Sequence, residues 1–186
     1  MPERNRGRWE PTREAAIDGS RRSSASSAEF AAAKALALAV TVAGVVAALL
    51  LVATEFSTVA SVDVAGGSCE VINDADPALA DRCALSGFER NGGAFLLLAA
   101  LTILMAWGAG MGGSRPAALA LVAVGVIVLG WALIVDLPVT DETGAIGISF
   151  EGATAQAGAG FTIELLAGAL ALGAGVLGLL ARTVRD

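Results

Sequence analysis

Few side chains in this sequence could carry chemistry, and the acids at the edges of its apolar runs come first. Glu55, Asp136 and Glu164 each close or open a long apolar stretch. Brought together they would form a carboxylate cluster for a proton or a cation, which makes them the candidate functional carboxylates. Histidine is absent, which removes His-ligated haem or zinc and the usual His-dependent triads. A membrane hydrolase using the helix-end acids is the one enzymatic alternative. The expectation is a non-enzymatic protein with no catalytic, cofactor-binding or metal-binding residues.

The only two cysteines, Cys69 and Cys83, share one polar stretch. On an oxidising face they would form a disulfide, and closing a loop of this length would contribute about 3 kcal/mol. Four-helix quinone-linked thiol oxidases resemble this plan, but their relay needs a close Cys-x-x-Cys and a second pair, both absent here. Asn73, Asp74 and Asp76 suggest a calcium loop at first sight. Counting from Asp74, however, the sixth position is Leu79 and the twelfth Leu85, where an EF-hand requires Gly and Glu. A turn and a helix cap explain these residues better.

The elements that must position these groups follow from hydropathy. The chain is 55% hydrophobic with a mean hydropathy of +0.71, and the excess gathers in Phe30 to Thr54, Ala94 to Gly110, Ala117 to Val135 and Phe161 to Ala181. Each reaches or approaches the roughly 17–25 residues that a helix needs to cross a bilayer. The expected fold is an all-α four-transmembrane-helix bundle with a small disulfide-closed extracytoplasmic loop region that includes short β-strands. Its parts are a disordered tail over 1–25, helices over 26–54, 94–111, 117–135 and 161–181, outer loops over 55–93 and 136–160, a turn over 112–116 and a tail over 182–186. A cleaved signal peptide competes for the first segment. Its apolar run, however, exceeds the roughly 7–15 residues of a signal core, and a long polar stretch precedes it.

Charge fixes the expected orientation. Ten of the twelve basic residues fall on the side of the two tails, and only Arg82 and Arg90 fall on the other. Twelve of the eighteen acids lie with Arg82 and Arg90. The positive-inside rule then puts both termini in the cytoplasm and an acidic face outside. The Arg-rich tail would be drawn to anionic lipid, although its own acids dilute the effect. Arginine far outnumbers lysine and tyrosine is missing, a bias that points to a GC-rich bacterium and its plasma (inner) membrane.

Packing signals agree with a bundle. Ala39, Ala43 and Ala47 recur every fourth residue, Ala167, Ala171 and Gly175 do the same, and Gly108 with Gly112 has GxxxG spacing. Such small-residue stripes allow close helix approach within the bundle, or in a homo-oligomer. Ser26 followed by Glu29 reads as a capping box that starts the first helix. Trp107 and Trp131 fit interfacial belts, Pro116 fits a first-turn proline, and Pro138 falls just beyond the third helix. The deep polar residues Thr41 and Thr102 can bond back to their own helices.

The outer loops are too long for simple connectors. Thr58, Ala60, Val62 and Val64 alternate with Val59, Ser61 and Asp63 ahead of a Gly66-Gly67 turn, and Ile146, Ile148 and Phe150 alternate with Gly147, Ser149 and Glu151. Both are strand patterns, and their pairing would make a small sheet. Asp76 before Pro77 predicts a short helix to about Arg82. The disulfide-closed loop on four helices resembles the claudin and tetraspanin plan, but the Gly-Leu-Trp and Cys-Cys-Gly signatures are absent. In composition and over its whole length the chain is similar to small four-pass membrane proteins of GC-rich, actinobacterial-type genomes, a resemblance that implies the fold and no activity.

The expected function is interaction or envelope assembly through the acidic outer loops. Its partners would be the bilayer and a membrane protein or a second copy, with no nucleic acid. A small transporter or channel-like subunit with Glu164 near the pathway is the alternative. Reporters fused at either terminus should read as cytoplasmic, and a label near Asp74 should be reachable from outside. Non-reducing mass spectrometry should find Cys69 joined to Cys83. Opposite accessibility of the two termini would sink the four-pass reading, and free thiols would remove the disulfide.

Overall fold

The computed structural model describes residues 13–64, 69–75, 77–80 and 82–183, with side chains described over 30–64, 72–75, 78–79 and 82–181. The chain divides into two compact units, Met1–Ala35 and Leu36–Asp186. The first helix, α1, spans Arg13–Glu55. This corrects the expected tail: from Arg13 onward the chain is helical, and Ser26 is an interior position rather than a cap. Arg13, Glu14, Ala15 and Ala16 are strong helix formers, and no proline follows until Pro77, so the helix runs on through Gly19 and the serines that follow it. Residues 1–12 and 184–186, the Gly66-Gly67 turn, the Asp76 cap and the Cys69 side chain lie outside the described residues.

Three helical stretches are long and apolar enough to cross a membrane: Phe30–Glu55, Arg115–Ser149 and Ala159–Ala181. A fourth apolar helix, α5 (Ala94–Gly110), is shorter at 17 residues. Leu38, Leu97, Leu104, Ile127, Ile134 and Leu180 are all exposed, which suits a hydrocarbon surrounding and not water. Trp107 and Trp131 are also exposed.

Helices α1, α5, α6 (Arg115–Trp131) and α9 (Ala159–Thr183) close around two apolar clusters. One gathers Ala47, Leu51, Phe95, Val128 and Ala171, and the other Val40, Ala106, Leu121 and Ala174. Small residues set the spacing. Ala47, Ala167 and Ala171 are buried, Ala43 packs at the edge of the second cluster, and Gly175 is buried against Val122. Ala39 is exposed, Gly108 touches Ala117 at the α5–α6 turn, and Gly112 lies beyond the end of α5. Pro116 sits in the first turn of α6, as its sequence position implies. Thr41 and Thr102 donate to Ala37 O at 3.0 Å and Leu98 O at 2.6 Å, so neither leaves an orphan hydroxyl.

One end of these packed helices carries a folded cap. Strand β1 (Thr58–Asp63) follows α1 almost at once, and it pairs antiparallel with β2 (Ala84–Ser86) on one edge and β3 (Thr154–Ala157) on the other. A bulge between Thr58 and Ala60 lets Val59 and Ala60 both be buried. Short helices α2 (Cys69–Ala75) and α3 (Pro77–Ala80) precede β2, and α4 (Gly87–Asn91) follows it. Val62, Val64, Ile72, Cys83 and Ile146 form the cap core. Cys83, the cysteine whose side chain is described, is buried in that core. Asn73 and Asp74 are exposed on α2, which suits the turn-and-helix reading better than a calcium loop.

The second expected strand is corrected. Residues Gly144–Ser149 form a short helix, α8, and β1 takes Ala84–Ser86 and Thr154–Ala157 as partners instead. In α8 only Ile146 enters the cap core, while Ile148 is 90% exposed. Alternation over so few residues does not separate a strand from a helix that buries one side chain.

The contact between α6 and α9 is the tightest test of this packing. A Cβ at Gly125 would stand 2.5 Å from the Leu172 amide nitrogen. Gly125→Ala should therefore force the two helices apart at a cost of about 1–3 kcal/mol, read as a lower Tm in detergent. Gly130→Ala, where a Cβ meets open space, should be neutral or stabilising by up to about 1 kcal/mol. Equal stability of the two variants would refute the close approach.

Candidate functional site

The three candidate carboxylates meet different fates, although Glu55, Asp136 and Glu164 are each 0% exposed. Glu55 ends α1, and its Oε1 accepts from the Phe95 backbone N–H at 2.8 Å. The need for this bond comes from the sequence before α5. Gly92 and Gly93 adopt φ of 60° and 85°, left-handed values that suit glycine and end α4 just before α5 begins. Gly93 then stands at the N-cap with no side chain to offer. A carboxylate from another helix supplies the missing acceptor, at the end where the helix dipole favours negative charge.

Asp136 is placed by a π-helical turn. The helical winding of α6 continues through Ala132–Asp136 in this wider form and on through α7 (Leu137–Val139). Pro138 thus lies inside the helical run, where sequence reading places it just beyond the end. Proline lacks the N–H that would reach Ile134 O, and its ring crowds that carbonyl. A π turn accommodates such a defect. It also keeps Val128, Ala132, Asp136 and Thr140 all buried; in an unbroken α-helix, eight residues from Val128 would leave Asp136 about 80° off that line.

The partner of Asp136 is Arg90, on α4. Its Nε donates to Asp136 Oδ1, and its Nη2 donates to Val135 O at 2.7 Å. Arg90 is held in place by the start of its helix. Ser86 and Glu89 form a capping box in which Ser86 N donates to Glu89 Oε2 at 3.0 Å and Glu89 N donates to Ser86 Oγ at 3.3 Å. The Ser86 backbone N–H, and then its hydroxyl, hold the Glu89 carboxyl below its usual value. The box is therefore intact at neutral pH and weakens only as pH falls through the carboxylate range. Gly87 rests directly on Thr54 O and Glu55 Cα, which seats α4 on the end of α1.

Glu164 is the sixth residue of α9 rather than a first-turn residue, because the helix opens at Ala159. The glycines before it pack on β1, where Gly158 N donates to Val59 O at 2.7 Å. The cap therefore covers this helix end, and Glu164 does not reach the surface as a shallow helix-end acid would. The charged groups acting on it are Asp136 and Arg90. Neither oxygen of Glu164 meets a donor, nor does Asp136 Oδ2 or Glu55 Oε2. Ionised carboxylates only accept hydrogen bonds, so a bond between Asp136 and Glu164 requires a proton on one of them.

The structure thus joins Asp136 and Glu164 and gives Glu55 a separate capping task. Among the described residues no three His, Cys, Asp or Glu side chains are arranged to hold a metal ion. Sequence reading counts Arg90 merely as one of two outer cations; the Ser86-x-x-Glu89 box four residues earlier is the signal that marks a short, fixed helix there. Asn91 completes the neighbourhood by accepting from Trp131 Nε1 at 3.0 Å. The chain matches no protein-family model, no curated protein and no solved structure at a significant level.

Removing Arg90 would leave Asp136 buried beside a second acid. Arg90→Met should cost about 3 kcal/mol, the lower end for breaking a buried pair because Arg90 is 20% exposed. The double variant Arg90→Met, Asp136→Leu should recover most of that loss in thermal or denaturant unfolding. Additive losses would show that the pair does not act as a unit.

Proposed function

We propose that this chain is a four-span protein of a bacterial plasma membrane, with both termini in the cytoplasm and the cap outside, that works by binding and not by covalent catalysis. In this reading α5 is the fourth span and a Cys69–Cys83 disulfide closes the cap. The charge asymmetry supports the orientation, and the burial of Cys83 in the cap core supports the bridge. Function centres on the Asp136–Glu164 pair as a proton-binding site of a small transporter or channel-like subunit. The observation that carries this is the donor-free, fully buried carboxyl of Glu164 beside Asp136. Ionisable groups buried in membrane helices are expensive, and they mark proton and ion pathways.

Two acids facing one guanidinium leave a negative charge that a single shared proton balances. Gln at position 164 keeps the shape of Glu and supplies a permanent donor to Asp136. Glu164→Gln should therefore express and assemble like the parent while losing proton exchange. In proteoliposomes the parent chain should show a pH-dependent proton flux that the variant lacks, and infrared difference spectra should show one carboxyl band of the parent missing from the variant. A variant that keeps both signals would refute this assignment.

A second reading is interaction or assembly through the acidic cap, with a membrane protein or a second copy as partner. The cap's own apolar core, which makes it a folded surface rather than a linker, favours this reading. A photo-crosslinker at the exposed Asp74 should then yield one reproducible adduct in native membranes, and no adduct would sink it.

A further inference from the structure

The cap holds a cleft of about 380 Å³, within the roughly 300–1,000 Å³ range of small-molecule sites. One wall is the sheet, through Val62 and Leu85, and the other is the segment after the π turn, through Val139 and Ile146. Two charges of opposite sign border these apolar walls, Arg82 from the stretch before β2 and Glu142 from the turn before α8. Both are exposed, and among the described residues neither side chain has a hydrogen-bond or ion-pair partner. The two charges border one cavity without engaging each other.

We propose that this cleft binds a small apolar zwitterion, the class of amino acids and short peptides with free ends. Its carboxylate would meet Arg82, whose planar fork suits bidentate recognition. Its ammonium group would meet Glu142, and its apolar body would cover Val62, Leu85, Val139 and Ile146. A singly charged ligand satisfies one border group and leaves the other without a partner. A neutral apolar ligand buries beside both without answering either, so the cleft discriminates by the pairing of charges. The proposal deepens the transport reading by naming the class of solute, yet the cleft can be tested without any flux.

The test uses the full chain in lipid nanodiscs, with leucyl-leucine as the probe and calorimetry or thermophoresis as the readout. Saturable binding is expected, weakened about tenfold by Arg82→Gln and by Glu142→Gln, as for loss of one charge-assisted contact. The probe blocked at both ends, acetylated and amidated, should bind weakly and equally to all three proteins. Glu164→Gln should leave leucyl-leucine binding intact, so loss of proton flux with retained binding separates the two sites. No saturable binding to the parent chain, or affinities indifferent to both substitutions, would overturn the proposal. So would tighter binding of the doubly blocked probe, which would make the cleft a plain apolar groove.

Discussion

The pairing of Arg90 with Asp136 is the contact on which the cap end of the molecule depends. It joins a short helix of the cap to the π turn at the end of α6, two pieces far apart in sequence. Asp136 is fully buried, so without a guanidinium its charge would face a second acid in a low-dielectric setting. Arg90 can answer it only because α4 is fixed at both ends. The Ser86–Glu89 box holds its start, and the left-handed glycines Gly92 and Gly93 hold its finish. Those same glycines expose the first amides of α5, which Glu55 then caps. One short helix therefore explains why two of the three buried acids stand where they do.

The packed helices beneath are held by a different physics. Apolar side chains gain little from leaving a hydrocarbon surrounding for a helix interface, so close backbone approach and dispersion must supply the association. Gly44 against Ala106, Gly110 against Thr41 and Gly125 against Leu172 are contacts in which any larger residue would clash. Polar groups among these helices are tolerated where they bond locally, as Thr41, Thr54 and Thr102 do to carbonyls one turn back. The costly groups are confined to the end covered by the cap. Thrift of this kind isolates Glu164 as the acid whose burial the fold itself does not account for.

Much of the helical plan was legible in hydropathy, because long apolar runs have few alternative uses. Pro116 marked the start of α6, and the alternation from Thr58 to Val64 marked β1, since both signals are local. The extent of α1 was not legible. A capping-box pattern at Ser26 does not start a helix when the chain before it is already helical from Arg13 and no proline interrupts it. The partner strands of β1 were hidden as well: Ala84–Ser86 and Thr154–Ala157 are too short and too weakly patterned to stand out. At the site, sequence singled out Glu55, Asp136 and Glu164 as helix-end acids, but it could not divide them. That division depends on Gly93 lacking a side chain and on Pro138 widening the helix, effects that act through tertiary contacts. Arg90 carried too little local signal to be chosen at all.

The π turn gives the acid pair and the cleft a shared mechanical element. Asp136 closes the turn, and Val139, three residues on, lines the cleft. Wide helical turns inside α-helices are rare and short, and they are frequent at functional sites. A change in how Asp136 is neutralised alters what Arg90 must balance, and Arg90 also holds Val135 O inside that turn. Val139 and Glu142, which border the cleft, follow that turn directly in sequence. The acid pair and the cleft therefore share a structural support, while the charges that serve each proposed role are separate: Asp136 and Glu164 for a proton, Arg82 and Glu142 for the two ends of a zwitterion.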